Sequence, residues 1–175
     1  MVEKKQKELL IIIPAYNEEK NIERVLEELE RPEIAEIADI LVMNDASSDS
    51  TNWVVKAHGH TLVSHVFNLG YGSALQLGYK YAIRRKYSYV IQMDADGQHL
   101  PEDMMRLIKW AFERKNTLML GVRAVGSRMP LRSRLGNRIT RTVFRLLSGV
   151  KISDTQSGLR AFRRELLEKI LAVGG

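Results

Sequence analysis

The stretch LLIIIPAYNEEKNIERVLEELE, residues 9–30, joins two patterns of different period. Leu9 to Ile13 form an unbroken apolar run, the composition of a strand covered on both faces, and Pro14 closes it. Ile22, Val25, Leu26 and Leu29 then recur at i, i+3, i+4 and i+7, the buried stripe of an amphipathic helix. Asn17 is a helix-capping residue type, and Glu18 and Glu19 suit the positive end of a helix dipole. The spacing predicts a helix over about 18–30.

The same unit returns along the chain. DILVMND (39–45) reads as a second strand, followed by a short helix from about Ser50. TLVSHV (61–66) is a third strand, and a helix runs from about Gly72 to Arg85. A fourth strand starts at Tyr89 with Val90, Ile91 and Met93. Pro101 fits the first turn of a helix reaching about Glu113. TLMLGV (117–122) is a further strand, and a helix is expected over about 132–147. Buried strands alternating with amphipathic helices predict an α/β fold, a doubly wound and mainly parallel central sheet flanked by helices. In such sheets ligands bind beyond the carboxyl ends of the strands. Polar residues gather at those ends: Tyr16 and Asn17 after the first, Asn44 and Asp45 at the second, Asn68 after the third, Asp94 and Asp96 after the fourth.

Bulk composition narrows the class. A chain of 175 residues suffices for one domain with a single core, and no repeat or linker divides it, so residues 1–175 read as one domain. The absence of cysteine excludes a disulfide framework and a cysteine-ligated metal and suits a reducing, cytoplasmic compartment. No apolar run approaches the roughly 20 residues of a membrane-spanning helix. The short apolar run before Pro14 does not read as a signal peptide. The net charge of +6 is unevenly spread. Residues 1–113 carry 13 Lys and Arg against 18 Asp and Glu, whereas residues 114–164 carry 13 Lys and Arg against the single acid Asp154. Such a split suggests an acidic half that handles a cation and a basic half that faces phosphates or an anionic membrane; a solvated basic surface is the plainer alternative.

Asp94 and Asp96 sit one residue apart, so period two points both the same way. Two neighbouring carboxylates repel, and a cation between or before them relieves the repulsion. Carboxylate oxygens suit Mg2+ or Mn2+, and Mg2+ is typically held by one or two carboxylates together with substrate phosphates. A lone D-x-D equally fits helix caps; the other polar strand ends favour the metal–diphosphate reading. His99 fits a ligand or a structural loop residue. Asp45 fits an acceptor for a ribose or a base N–H, while Asp49 or Ser50 reads as a helix cap. Gly70 and Gly72 do not make G-x-G-x-x-G and read as a tight turn. Arg134, Arg138, Arg141 and Arg145 fall on one helical stripe beside Leu135, Ile139, Val143 and Leu146, which suits phosphate, anionic lipid or a solvated face. Arg123 and Arg128, in the loop before it, are the stronger phosphate candidates. Phe144 and Phe162 are the only aromatic residues near the basic segment, so nucleic-acid binding is not expected.

IIIPAYNEEKNI, VMNDASSDST, NLGYGSALQLG, MDADGQH and DTQSGLRAFRR occur in the order and style of family 2 glycosyltransferases. From about Leu9 to Arg164 the chain resembles the polyprenyl-phosphate sugar synthases of that family, the dolichyl-phosphate mannose synthase-like branch. The resemblance implies a GT-A (Rossmann-like) fold and inverting, metal-dependent transfer of a hexose from a nucleotide sugar such as GDP-mannose or UDP-glucose to a polyprenyl phosphate. By motif, Pro14, Ala15, Tyr16 and Glu18 match the first nucleotide-binding segment, and Asp45 the acid that contacts the nucleoside. Asp94 and Asp96 match the metal and diphosphate motif, and Gln98 the position beside the donor sugar. Asp154 matches the acid ahead of the Gln156–Ser157–Gly158 turn, with Arg160 following. Ala46 stands where the family often has Gly. Asp154 would act as general base toward a sugar hydroxyl, or orient groups when the acceptor is a phosphate that is already ionised. Family catalytic domains usually continue beyond RAFRRELLEKIL, so the chain is expected to be a C-terminally shortened form. The rival expectations are transfer to a glycan hydroxyl in polysaccharide or glycolipid synthesis, and a non-catalytic nucleotide-sugar-binding domain. Peripheral contact with an anionic membrane at its cytoplasmic face is expected from charge and family.

Overall fold

The computed structural model describes residues 6–97, 101–113, 119–120 and 158–173. The apolar run predicted as the first strand forms β1 (Leu9–Ala15), followed by α1 (Ile22–Leu29) and a single turn, α2 (Pro32–Ala35). Then come β2 (Ala38–Asn44), α3 (Thr51–Ala57), β3 (Thr61–Ser64), α4 (Tyr71–Arg84) and β4 (Tyr89–Gln92). α5 (Pro101–Glu113), β5 (Met119–Leu120), β6 (Arg160–Arg163) and α6 (Arg164–Val173) complete the described elements. The helix expected over 132–147 lies outside the described residues.

The six strands lie in the order β3-β2-β1-β4-β6-β5. β3, β2, β1 and β4 pair in parallel, as expected for a doubly wound sheet. β6 runs antiparallel between β4 and β5, with Gln92 opposite Arg160 and Tyr89 opposite Arg163. The period of β1 sorts the core into two layers. Leu9, Ile11 and Ile13 pack with Ile22, Val25, Leu26 and Leu29 of α1 and with Met104, Leu107 and Ile108 of α5. Leu10 and Ile12 face the other way, toward Ala74, Leu75, Tyr79 and Ala82 of α4 and Leu167 of α6. All of β1 is buried because helices cover both faces.

Two boundaries differ from expectation. The first helix begins at Ile22, not near residue 18, after a turn in which Glu18 O accepts from the N–H groups of Asn21 and Ile22. Asn17 does not cap it: its φ is 55°, and its Oδ1 accepts from Ser48 N–H at 2.9 Å. The third strand ends at Ser64: His65 makes the last backbone bond to β2, its N–H donating to Asn44 O at 2.9 Å, and its ring bonds the Asp45 carboxylate. No helix among the described residues is long and apolar enough to cross a membrane.

Candidate active site

The carboxyl ends of β1, β2 and β4 open into a cleft of about 530 Å³. Backbone pairing carries the chain past the strand ends: Asp45 N–H donates to Ala15 O at 2.9 Å, and Met93 N–H to Ile12 O at 3.1 Å. The acids that follow β2 and β4 therefore arrive beside the end of β1. Pro14, Ala15, Tyr16, Glu18, Asp45, Asp94 and Asp96, seven residues singled out from the sequence, all line the cleft, with Asn68, Gly70 and Tyr71. Gln98, Arg123, Arg128 and Asp154 lie outside the described residues, as does His99.

Five hydrogen bonds stitch the loop after β1 to the loop after β2. The N–H groups of Asn17, Glu18 and Glu19 donate to Ser47 Oγ, Thr51 Oγ1 and Asp49 Oδ2, and those of Ser48 and Ser50 donate to Asn17 Oδ1 and Glu19 Oε2. Asp49 also takes the Thr51 N–H at 3.0 Å, so it, and not the Ser50 side chain, caps α3. Ala46, in the same loop, has a φ of 59°. That left-handed conformation is nearly free for glycine and strained for alanine, which gives a physical reason for glycine at this position.

Asp45 is 3% exposed and anchors the β3–α4 loop. Its Oδ1 accepts from His65 Nδ1 at 2.7 Å and from Leu69 N–H at 2.9 Å, and its Oδ2 from Gly70 N–H at 2.7 Å. Burial alone would raise its pKa; the hydrogen bonds from His65, Leu69 and Gly70 and the His65 charge outweigh it and hold the carboxyl below its ordinary value. A carboxylate offers about four acceptor positions, so these three bonds leave capacity toward the cleft.

A hydrogen-bonded chain runs from the core to Asp94. Tyr79 OH donates to Gln92 Oε1, Gln92 Nε2 donates to Tyr71 OH at 3.0 Å, and Tyr71 OH donates to Asp94 Oδ1 at 2.8 Å. Gln92 is 1% exposed, so this buried amide is satisfied by the two phenols. Burial pushes the Tyr79 hydroxyl up to about 12, with the Arg160 charge opposing. The Tyr71 hydroxyl is raised as well, first by burial and then by the bond to Asp94. Both phenols stay protonated at neutral pH and fix the orientation of the Asp94 carboxylate. This chain is absent from the sequence reading. Its one signal was Gln92, a polar residue inside a buried strand.

The fourth strand ends at Gln92, and the chain turns after Met93; Asp94 and Asp96 both line the cleft, but so does Ala95 between them, so the turn and not strand alternation brings the two acids there. Gly158 lies against Asp94. A Cβ there would fall 1.8 Å from Asp94 Oδ2, so only glycine allows the approach. Gly158, two residues before β6, therefore sits directly beside the Asp94 carboxylate. Arg160, opposite Gln92, brings a cation to the same end of the sheet.

A parallel sheet with an antiparallel strand inserted beside β4, and acids at the strand ends facing one cleft, is the GT-A fold of nucleotide-sugar enzymes. The chain belongs to glycosyl transferase family 2, whose family description matches residues 10–171. It is 34% identical to the polyprenol monophosphomannose synthase of Mycolicibacterium smegmatis, over 92% of this chain and 63% of that protein. It is 30% identical to the UDP-N-acetylglucosamine–dolichyl-phosphate N-acetylglucosaminyltransferase of Methanococcus voltae, over 91% of this chain and 71% of that one. These relatives support the polyprenyl-phosphate sugar synthase branch. A mannosyltransferase from Pyrobaculum calidifontis, solved with GDP-Man and Mn2+, superposes with a TM-score of 0.67 at 22% identity, over 95% of this chain and 47% of its own. The chain thus spans between 47% and 71% of the length of these proteins.

Proposed function

We propose that the chain is the donor-binding and catalytic domain of an inverting glycosyltransferase that moves a hexose from a nucleotide sugar to a polyprenyl phosphate at a membrane surface. The observation that carries this is the convergence of Asp45, Asp94 and Asp96 on one cleft beside the end of β1. The names of the relatives support a polyprenyl-phosphate acceptor.

Pro14, Ala15, Tyr16 and Glu18 with Asp45 form the wall for the nucleoside. The all-oxygen donor set of Asp94 and Asp96, facing open space, fits Mg2+ or Mn2+ bound together with a diphosphate. Bound there, the ion would offset the charge that develops on the leaving diphosphate. Tyr71 and Gln92 hold Asp94 in place before the donor arrives. A phosphate oxygen of the acceptor attacks the anomeric carbon as the bond to the nucleoside diphosphate breaks, and the bonding pair leaves with that diphosphate. The second pKa of a phosphate monoester is near 6, so the acceptor needs no base. Asp154 then orients acceptor or sugar, Gln98 stands beside the donor sugar, and Arg123 and Arg128 neutralise phosphates; the first two roles rest on motif, the last two on the basic charge of residues 114–164.

The test is calorimetry with GDP-mannose, UDP-glucose and UDP-N-acetylglucosamine, with and without Mn2+, on the wild type and Asp96→Ala. A transfer assay to a polyprenyl phosphate follows. Metal-dependent binding of one donor, lost in the variant, with transfer to the lipid phosphate, is expected. Transfer to a glycan hydroxyl instead would overturn the acceptor. Donor binding without transfer to any acceptor would leave a binding domain only.

A further inference from the structure

Glu30, His58 and His60 meet at the end of the sheet opposite the cleft. Glu30 follows α1, His58 follows α3, and His60 immediately precedes β3. His58 Nδ1 and His60 Nε2 each lie 2.8 Å from the same oxygen, Glu30 Oε1. The three ligand atoms are all within 4.8 Å of one another. The imidazole planes are 13° apart, with centroids separated by 6.4 Å, so both rings present a nitrogen to one point. Among the described residues this is the one cluster of three such side chains.

The geometry points to a binding site for a divalent transition-metal ion of the zinc class, built by Glu30, His58 and His60 and separate from Asp94 and Asp96. Zinc sits about 2.0–2.2 Å from imidazole nitrogen and carboxylate oxygen, which places tetrahedral ligand atoms about 3.3 Å apart. Opening the two 2.8 Å contacts by a few tenths of an ångström provides that spacing for both Glu30–His pairs, and the two imidazole nitrogens already lie within 4.8 Å of each other. Two imidazoles with one carboxylate favour Zn2+, Co2+, Ni2+ or Cu2+ over Mg2+ or Ca2+, whereas the all-oxygen pair after β4 has the opposite preference. The imidazoles are 18% exposed and Glu30 is 38% exposed, so an ion enters from solvent without unfolding.

The site belongs to three elements that are separate in sequence. A bound ion would tie the end of α1 and the end of α3 to the start of β3. Glu30 and His60 also line a neighbouring cavity of about 310 Å³ together with Lys7 and Arg85; water would supply the remaining ligand of a four-coordinate ion. The separation from the cleft is the length of β1, about 20 Å at roughly 3.3 Å per residue, so the two ion sites are testable independently.

The experiment titrates Zn2+ and Co2+ into tag-free protein. Three forms are compared: wild type, His58→Asn with His60→Gln, and Asp94→Asn with Asp96→Asn. Wild type and the aspartate variant are expected to bind one Zn2+ equally well and to show the intense visible absorption of four-coordinate Co2+. The histidine variant is expected to lose at least about 100-fold in Zn2+ affinity, and the absorption with it. At one hundred times Kd, Zn2+ should raise Tm by roughly 5–10 °C in the first two forms and leave the third unchanged. Glu30→Gln keeps the hydrogen-bonding shape and should weaken Zn2+ without lowering the metal-free Tm. Undiminished Zn2+ binding by the histidine variant, or no binding by a folded aspartate variant, would overturn the proposal.

Discussion

Replacing Gly158 by alanine isolates the contact between residue 158 and Asp94. The backbone at Gly158 is not left-handed, so alanine fits the chain there and the only obstacle is space. Its Cβ would lie 1.8 Å from Asp94 Oδ2 and 2.4 Å from Oδ1, where ordinary contacts start near 3.4 Å. Either the carboxylate or the backbone at 158 must move by about 1.6 Å. Misplacing reacting groups by about 1 Å can cost about 100-fold, which is about 2.7 kcal/mol of transition-state stabilisation. Overpacking itself costs typically about 1–3 kcal/mol, a Tm lower by roughly 2–4 °C for each kcal/mol at this chain length. Gly158→Ala should therefore fold, melt several degrees lower, and lose most of the Mn2+-dependent increment in affinity for GDP-mannose or UDP-glucose. Transfer should fall by about two orders of magnitude. Wild-type Tm together with a wild-type Mn2+-dependent increment would show that 158 does not press on Asp94, and the close approach would be refuted.

Ala46→Gly removes a side chain from a left-handed position and should stabilise the fold by about 1 kcal/mol, read as a higher urea midpoint at unchanged m. Tyr71→Phe takes the hydroxyl from Asp94 Oδ1 and from Gln92 Nε2; Tyr71 is 49% exposed, so water replaces part of the loss. A weakening of Mn2+-dependent donor binding of about 10-fold is expected by calorimetry. The Asp45 carboxyl is depressed by folding, so its contribution is complete above the unfolded value of 3.8 and is lost as pH falls through the lower folded value. Asp45→Asn should lower stability at pH 7 and flatten the acid limb of a Tm–pH curve.

The parts of the fold that were legible in the sequence are those set by local period. Five apolar residues before Pro14, and the stripe from Ile22 to Leu29, each fix an element and its buried face within one window. β6 was not legible in the same way. RAFR is four residues long with a charge at each end, and it is a strand only because β4 and β5 lie on either side of it. The acids at the strand ends could be found from pattern and family motif because a strand end is a place in the sequence. The hydroxyl of Tyr71, the amide of Gln92 and the meeting of Glu30 with His58 and His60 depend on helix crossings over the sheet, which no spacing encodes. Asn17 failed as a cap for a related reason: Ser48, far along the chain, competes for its side chain.

The antiparallel insertion of β6 also sets a timetable for synthesis. On the ribosome, β1 to β4 and their helices leave the exit tunnel first, and the parallel part of the sheet can assemble at once. One edge of β4 and the whole of β5 then wait for the segment at 160–163. At about 5–20 residues per second the delay is several seconds, long compared with hydrophobic collapse. During that interval the open edge of β4, directly before Asp94, is the surface on which a nascent chain would recruit a chaperone or pair with a neighbour.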